Sequence, residues 1–155
     1  MHGGDSGIIL AFLMNPVSLR AGEAAYIPPR QIHAYQRGLG IEVMAASDNV
    51  IRAGLTHKHV DSAQLVEIAE FSALPPIRLA PEHPSPHSDR FLAPAQEFEL
   101  TVTTCTPDLS NLRVPGEGPR IAMVTRGRLS LSTEAGERTL GGGEAVFISA
   151  AEHQL

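Results

Sequence analysis

The sequence predicts an all-β protein made of jelly-roll units, and three observations lead to this prediction. Short apolar segments recur at spacings of roughly ten residues, each bounded by glycine or proline, as in β-sandwiches and barrels. Many segments alternate apolar and polar residues, which is the period of a strand with one buried face. Residues 141–153 also repeat the pattern of residues 20–29, with Gly-Glu-Ala before a short apolar strand in both. This repeat indicates two related units.

Four short strands are predicted in the first part of the chain, at residues 8–14, 25–27, 31–35 and 41–45. The second strand ends at Pro28 and Pro29, because neither proline can donate a hydrogen bond to a neighbouring strand. The first strand is apolar throughout but too short to cross a bilayer, and no charged segment precedes it. We therefore expect it to be neither a membrane anchor nor a signal peptide.

The third and fourth predicted strands each carry a candidate functional side chain. His33 faces away from Ile32, and Glu42 faces away from Ile41. If these strands are antiparallel neighbours, both polar side chains can point into the cavity of a jelly roll. A neutral imidazole there is a good zinc ligand, although a lone histidine in a strand is more often a packed or surface residue.

The segment that follows combines turn residues with an arginine. Ser47, Asp48 and Asn49 all have side chains that can bond nearby backbone amides, so they predict a turn or cap. Arg52 follows, beside small residues, and a guanidinium in such a place can bind a phosphate with two parallel hydrogen bonds. An exposed, solvated arginine is the alternative. Spacing alone does not decide between them.

A helix is predicted at residues 62–71, with Asp61 as its N-cap and Gln64 in the capping-box position. Residues 73–94 contain six of the 12 prolines, which predicts an extended connector without folded elements. Beyond it, strands are predicted at residues 98–103, 120–125, 128–132, 139–140 and 146–148, with a hairpin around Arg126 and Gly127. We interpret residues 91–155 as a second jelly roll with a structural or shielding role.

Composition excludes several classes of function. The net charge of −5, without a basic run, argues against a nucleic-acid partner. The single cysteine, Cys105, allows no internal disulfide and agrees with a reducing cytoplasm. No phosphate-binding loop, nucleophile elbow or Cys-x-x-Cys pair is present. The length of 155 residues is enough for one ordinary domain or two small ones.

Three motifs follow one another between residues 28 and 58. They are Pro-x-x-x-x-His-Ala-Tyr at 28–35, Gly-Ile-Glu-Val-Met-Ala at 40–45, and Ser-Asp-Asn-Val-x-Arg-Ala-Gly-Leu-Thr-x-Lys at 47–58. Together they resemble the type I phosphomannose isomerases (mannose-6-phosphate isomerases), which are zinc enzymes of the cupin superfamily. The resemblance is close over residues 5–72 and is a looser cupin-like pattern beyond them.

The resemblance implies a function and a role for each candidate residue. The family interconverts mannose 6-phosphate and fructose 6-phosphate, so it implies a phosphorylated hexose as the substrate and zinc as the cofactor. By the same resemblance His33 is a zinc ligand, Glu42 is an active-site carboxylate, and Arg52 acts on the sugar phosphate. A carboxylate is a reasonable base for proton transfer between adjacent carbons, and a cation can stabilise the negative charge that develops.

The resemblance also implies a division of the chain. Residues 1–58 correspond to the C-terminal half of a catalytic cupin domain, residues 59–90 to the helix and the proline-rich connector, and residues 91–155 to a second cupin-like domain that is incomplete at its C-terminus. The family's other zinc ligands come from a Gln-x-His motif and a glutamate, and no such segment precedes His33. We therefore expect a C-terminal fragment that binds zinc weakly and is inactive alone.

Two further expectations and one alternative complete the prediction. Half a jelly roll has open sheet edges, which invite association with another polypeptide. His57 stands where the family has proline. The spacing of His57 and His59 allows a second metal site, but a solvated loop is the favoured interpretation. His153 is not expected to be a ligand. The alternative function is a non-catalytic cupin-fold module with a binding or structural role.

Overall fold

The structure is a computed structural model that describes residues 4–47, 49–109, 112–133 and 136–152. Asp48 of the predicted turn cluster and His153 lie outside the described residues. Strands make up most of the regular structure, which confirms the predicted all-β, cupin-like class. The described residues form nine strands and two helices.

The strands are short, and they pair into four small sheets. In chain order they are β1 Ala24–Tyr26, β2 Ile77–Leu79, β3 Glu82–Ser85, β4 Ser88–Phe91, β5 Leu100–Thr103, β6 Arg120–Met123, β7 Arg128–Thr133, β8 Gly136–Gly141 and β9 Ala145–Ile148. The sheets have the orders β1-β2, β3-β4-β5, β6-β9 and β7-β8. The helices are α1 Gly7–Leu13 and α2 Ser62–Ile68.

The chain divides into two compact units, and the first comprises Met1–Pro84 and Arg90–Leu100. Its strands β1 and β2 are antiparallel, with Ala24 opposite Leu79 and Tyr26 opposite Ile77. An ion pair of 3.0 Å between Arg78 Nη1 and Glu23 Oε2 joins this pair of strands at its end. The strand predicted at residues 25–27 is therefore confirmed, with bounds one residue earlier.

Helix α2 begins as the sequence predicts. The Asp61 carboxylate accepts a hydrogen bond from the Gln64 amide at 3.0 Å, which satisfies one of the unpaired donors of the first turn. The helix ends at Ile68 rather than at residue 71. Its last carbonyl instead accepts a hydrogen bond from Arg30 Nε at 2.6 Å, and the Glu70 amide donates to the Arg30 carbonyl at 3.0 Å.

The second unit comprises Ser85–Asp89 and Thr101–Leu155, and it contains its own apolar core. Val124, Leu131 and Leu140 are buried together. Strands β7 and β8 pair in register from Arg128 opposite Gly141 to Thr133 opposite Gly136. The strands predicted at residues 98–103, 120–125, 128–132, 139–140 and 146–148 are confirmed here as β5 to β9.

Three predicted strands of the first unit are wrong. Residues 8–14 form α1 instead, because a short continuous apolar run does not distinguish a strand from a helix by its periodicity. Residues 31–35 and 41–45 are irregular, apart from a parallel bridge between Gln31 and Glu70. Alternation of apolar and polar residues specifies a strand only where a neighbouring backbone pairs with it.

Two predictions about connections are also wrong. The proline-rich segment 73–94 contains β2, β3 and β4, since a proline is tolerated at sheet edges and strand starts. The hairpin predicted around Arg126 and Gly127 does not form, because β6 pairs with β9 and β7 pairs with β8.

Candidate functional site

His33 lies on the irregular segment that follows the Gln31 bridge, and its side chain is exposed. Its Nδ1 is 2.9 Å from the Gln31 carbonyl oxygen. A carbonyl oxygen can only accept, so Nδ1 carries the hydrogen, and Nε2 of the neutral ring presents a lone pair. His33 therefore has the tautomer and the exposure that a metal ligand needs.

Tyr35 connects His33 to Glu42. The Tyr35 hydroxyl donates a hydrogen bond of 3.0 Å to Glu42 Oε1. The rings of His33 and Tyr35 meet edge to face, with their centroids 6.0 Å apart and an interplanar angle of 68°. The structure thus places the predicted ligand and the predicted carboxylate on either side of one tyrosine. They lie on irregular segments and not, as predicted, on adjacent antiparallel strands.

Tyr35 is not among the site residues predicted from the sequence. Partial burial and the neighbouring Glu42 carboxylate raise the pKa of its phenol above the ordinary value of 10.0. The hydroxyl therefore remains a hydrogen-bond donor across the neutral pH range. Its place two residues after His33, on the same face of an alternating segment, is the signal that could have identified it.

The backbone that follows Arg52 is fixed by Asp5. The Asp5 carboxylate accepts one hydrogen bond from the Gly7 amide at 2.8 Å and another from the Leu55 amide at 2.9 Å. Gly54 lies directly against this loop, since a Cβ added to it would be 2.6 Å from Asp5 Oδ1. Gly54 has a φ of 146°, in the region that favours glycine. The chain therefore needs glycine at position 54 for both space and backbone conformation.

Arg52 is half-buried and lines a depression of about 170 Å³ in the first unit. The lining residues come from the segment around Arg52 and the start of α2: Val50, Ile51, Arg52, His59, Asp61 and Gln64. Neither His33 nor Glu42 lines it. The structure therefore groups Arg52 with polar side chains at the start of α2. The sequence did not predict that His59 and Gln64 belong to this group.

A larger cavity of about 300 Å³ lies in the second unit. Residues of β7, β8 and β9 line it, including Leu131, Arg138 and Phe147. No residue predicted to bind metal or substrate lines this cavity. The candidate site is therefore in the first unit, even though its depression is the smaller one.

The donor groups present do not make up a zinc site. In the part of the chain that the structure describes, no three histidine, cysteine, aspartate or glutamate side chains converge as a metal site requires. A catalytic zinc needs three protein ligands and a structural zinc needs four. His33 can supply one of them, and no such group among the described residues includes His57 or His59.

In the described ranges neither helix, α1 nor α2, is long and apolar enough to cross a membrane.

Comparison with known proteins gives one clear relationship, although no family model matches the chain. Mannose-6-phosphate isomerase 1 of Arabidopsis thaliana is 36% identical over 146 residues, covering 94% of this chain and 34% of the relative. Mannose-6-phosphate isomerase of Escherichia coli K12 is 34% identical over 151 residues, covering 96% of this chain and 38% of the relative. The chain spans between a third and two-fifths of the length of these curated relatives.

Solved structures give the same relationship. The crystal structure of mannose 6-phosphate isomerase from Salmonella typhimurium, bound to fructose 6-phosphate and zinc, superposes with a TM-score of 0.57 at 31% identity. The superposition covers 72% of this chain and 28% of that one. Further structures of the Salmonella protein carry a histidine-to-alanine and an arginine-to-alanine substitution nineteen positions apart. His33 and Arg52 are separated by the same spacing.

Proposed function

Because the chain is homologous, over nearly its whole length, to the C-terminal part of the mannose-6-phosphate isomerases, we propose that it supplies that part of such an isomerase's active site. The substrates are mannose 6-phosphate and fructose 6-phosphate, and the reaction takes place in the cytoplasm. The contact of His33 and Glu42 with one tyrosine carries this proposal. The shared spacing of a histidine and an arginine with two substituted positions of the Salmonella protein supports it.

Glu42 is the proton-transferring carboxylate of the proposal. Isomerisation of the aldose removes a proton from C2 and returns one to C1 through an enediol, and a carboxylate within hydrogen-bond reach can carry that proton. The Tyr35 hydroxyl holds Glu42 Oε1, which leaves Oε2 for the substrate. Tyr35 thus orients the base, as a positioning residue.

Arg52 is the phosphosugar-binding residue of the proposal. Its guanidinium can donate two parallel hydrogen bonds to a phosphate or to adjacent sugar oxygens. Gly54 and Leu55, held by the Asp5 carboxylate, fix the backbone just after Arg52. Because this backbone is already ordered, substrate binding costs less conformational entropy.

His33 is one ligand of the proposed zinc, through Nε2. When bound, zinc acts as a Lewis acid that polarises or orients substrate oxygens. The described residues do not provide the remaining ligands, so the proposal requires them from a polypeptide equivalent to the rest of the relatives. That absence also favours a second candidate function, a non-catalytic cupin-fold module.

A chimaera tests the proposal. The matched segment of the Escherichia coli enzyme is replaced by this chain, and the product is assayed for conversion of fructose 6-phosphate and for zinc content. The parent enzyme and a version that lacks the segment are the controls. Turnover well above that of the truncated version, with one zinc per chain, is expected. A folded, zinc-loaded chimaera without turnover would favour the non-catalytic module.

A further inference from the structure

Apolar side chains are buried very unequally in the two units. Among the described residues, 23 large apolar side chains are exposed, and nineteen of them belong to the first unit. Four of the five buried apolar residues belong to the second unit, and only Phe91 belongs to the first. Exposed apolar side chains that adjoin one another mark an interaction site. The first unit therefore exposes apolar side chains of the kind that other proteins bury in a core.

Helix α1 shows this surface most clearly. It has no charged residue, and Gly7 is its one buried residue. Phe12 is 85% exposed, Leu13 78% and Ile9 66%, and Ile8 is also exposed. At 100° per residue these four side chains occupy a single arc of about 140° around the helix axis. They form one continuous apolar face, called the α1 face below.

The first residue of α1 lies against the backbone that follows Arg52. The helix begins at Gly7, whose amide is bound by Asp5, and Gly54 packs against both residues. Arg52 is two residues before Gly54. The helix that carries the α1 face is therefore anchored, at its first residue, to the segment that follows Arg52.

We infer that the α1 face is a docking surface for a polypeptide equivalent to the part of the mannose-6-phosphate isomerases that this chain does not match. The Escherichia coli relative extends well beyond the 38% of its length that the chain covers, which is ample to cover this face. Four large apolar side chains side by side on one helix are the anchors by which an apolar helix face binds a hydrophobic groove, so the partner surface is expected to be hydrophobic. This inference rests on the proposed function and extends it, because the same polypeptide would supply the missing zinc ligands.

Co-expression tests the inference without relying on turnover. The tagged full chain is produced together with the unmatched portion of the Escherichia coli enzyme, and the purified material is measured by light scattering. A one-to-one complex is expected. Phe12→Ser combined with Leu13→Ser should reduce the captured portion at least tenfold. Ile121→Ser, at a site 76% exposed in the second unit, is the matched control and should leave capture unchanged.

The possible results separate the inference from the proposed function. Self-association of the chain in place of capture would mean that a second copy covers the face, and would overturn the inference. Equal capture by the double variant and the control would also overturn it. Capture that depends on Phe12 and Leu13, together with an inactive chimaera, would keep the interface and reject the isomerase.

Discussion

The carboxylate of Asp5 holds the amide of Leu55 at 2.9 Å, fifty residues away along the chain. The other oxygen of the same carboxylate binds the Gly7 amide, where α1 begins. Asp5 thus joins the start of the apolar helix to the segment that follows Arg52. One short side chain therefore links the helix that carries the proposed docking surface to the backbone three residues after the proposed substrate-binding arginine.

Removal of this carboxylate should loosen the first unit. Asp5→Ala loses two charge-assisted hydrogen bonds, and because both are near the surface we expect the free energy of unfolding to fall by about 1–2 kcal/mol. Urea denaturation measures the change. Glu67→Ala, which removes an exposed carboxylate from α2, should change stability by much less. Equal effects of the two variants would contradict the role given to Asp5.

A side chain at position 54 should be poorly tolerated. In Gly54→Ala the new Cβ would lie 2.6 Å from Asp5 Oδ1 and 2.8 Å from Gly7 Cα, at a φ of 146°. The backbone must shift, at a cost of roughly 1–3 kcal/mol. The control is Gly40→Ala, where nothing lies within 4 Å of the added Cβ. If both variants unfold at the same temperature, the packing of Gly54 against Asp5 and Gly7 is not rigid.

Tyr35→Phe should lower turnover more than substrate affinity. The change removes the hydroxyl that binds Glu42 Oε1 and leaves the ring beside His33. A lost hydrogen bond of about 1 kcal/mol corresponds to a fall in kcat of roughly five- to tenfold. Steady-state kinetics of the chimaera measure this. Tyr26→Phe, at the other tyrosine of the chain, is the control, and a loss confined to KM would argue against a positioning role.

Arg52 should act on substrate binding. In the chimaera, Arg52→Ala removes charge-assisted hydrogen bonds, so KM for fructose 6-phosphate should rise roughly ten- to a hundredfold. Arg52→Lys should recover only part of this, because an ammonium lacks the planar fork. Arg126→Ala, at an exposed arginine of the second unit, should leave KM unchanged. Full activity of Arg52→Ala would remove this residue from the site.

The pairing of β1 with β2 should weaken in acid. The pKa of Glu23 lies below its ordinary value of 4.5, chiefly because its carboxylate accepts a hydrogen bond from the Arg20 amide, with a further contribution from Arg78. A lowered carboxyl pKa stabilises the folded state above the ordinary pKa, and this stabilisation is lost as pH falls through the lowered value.

Glu23→Gln should therefore be less stable than the wild type at neutral pH, and the two should converge below pH 4.5. Urea denaturation across this pH range measures the convergence, with Glu117→Gln as a control carboxylate in the second unit. A difference between wild type and Glu23→Gln that does not change with pH would contradict the assignment.

The sequence predicts most reliably where the signal is local. The cap of α2 by Asp61 depends only on the residues of one helical turn. The strands of the second unit are also predicted correctly, and there the apolar positions of the alternating pattern include residues of a buried core. Residues 31–45 alternate apolar and polar side chains as a strand does, yet the structure shows no strand there. A strand forms only where a distant part of the chain supplies a backbone to pair with, and the local sequence does not reveal this. The resemblance named His33, Glu42 and Arg52, whose roles stay predictions. The hydrogen bond of Tyr35 with Glu42 joins two irregular segments, so no sequence pattern predicts it.

The concentration of the buried apolar residues in one unit has a consequence for how the chain loses its structure. Val124, Leu131 and Leu140 are buried together, and Leu131 and Leu140 lie on the paired strands β7 and β8, so amide exchange should be slowest there. Among the described residues the first unit has one buried apolar side chain, Phe91, and this unit should open at much lower free energy. Heating should therefore melt the chain in two stages, and a docked polypeptide should raise the temperature of the first stage alone.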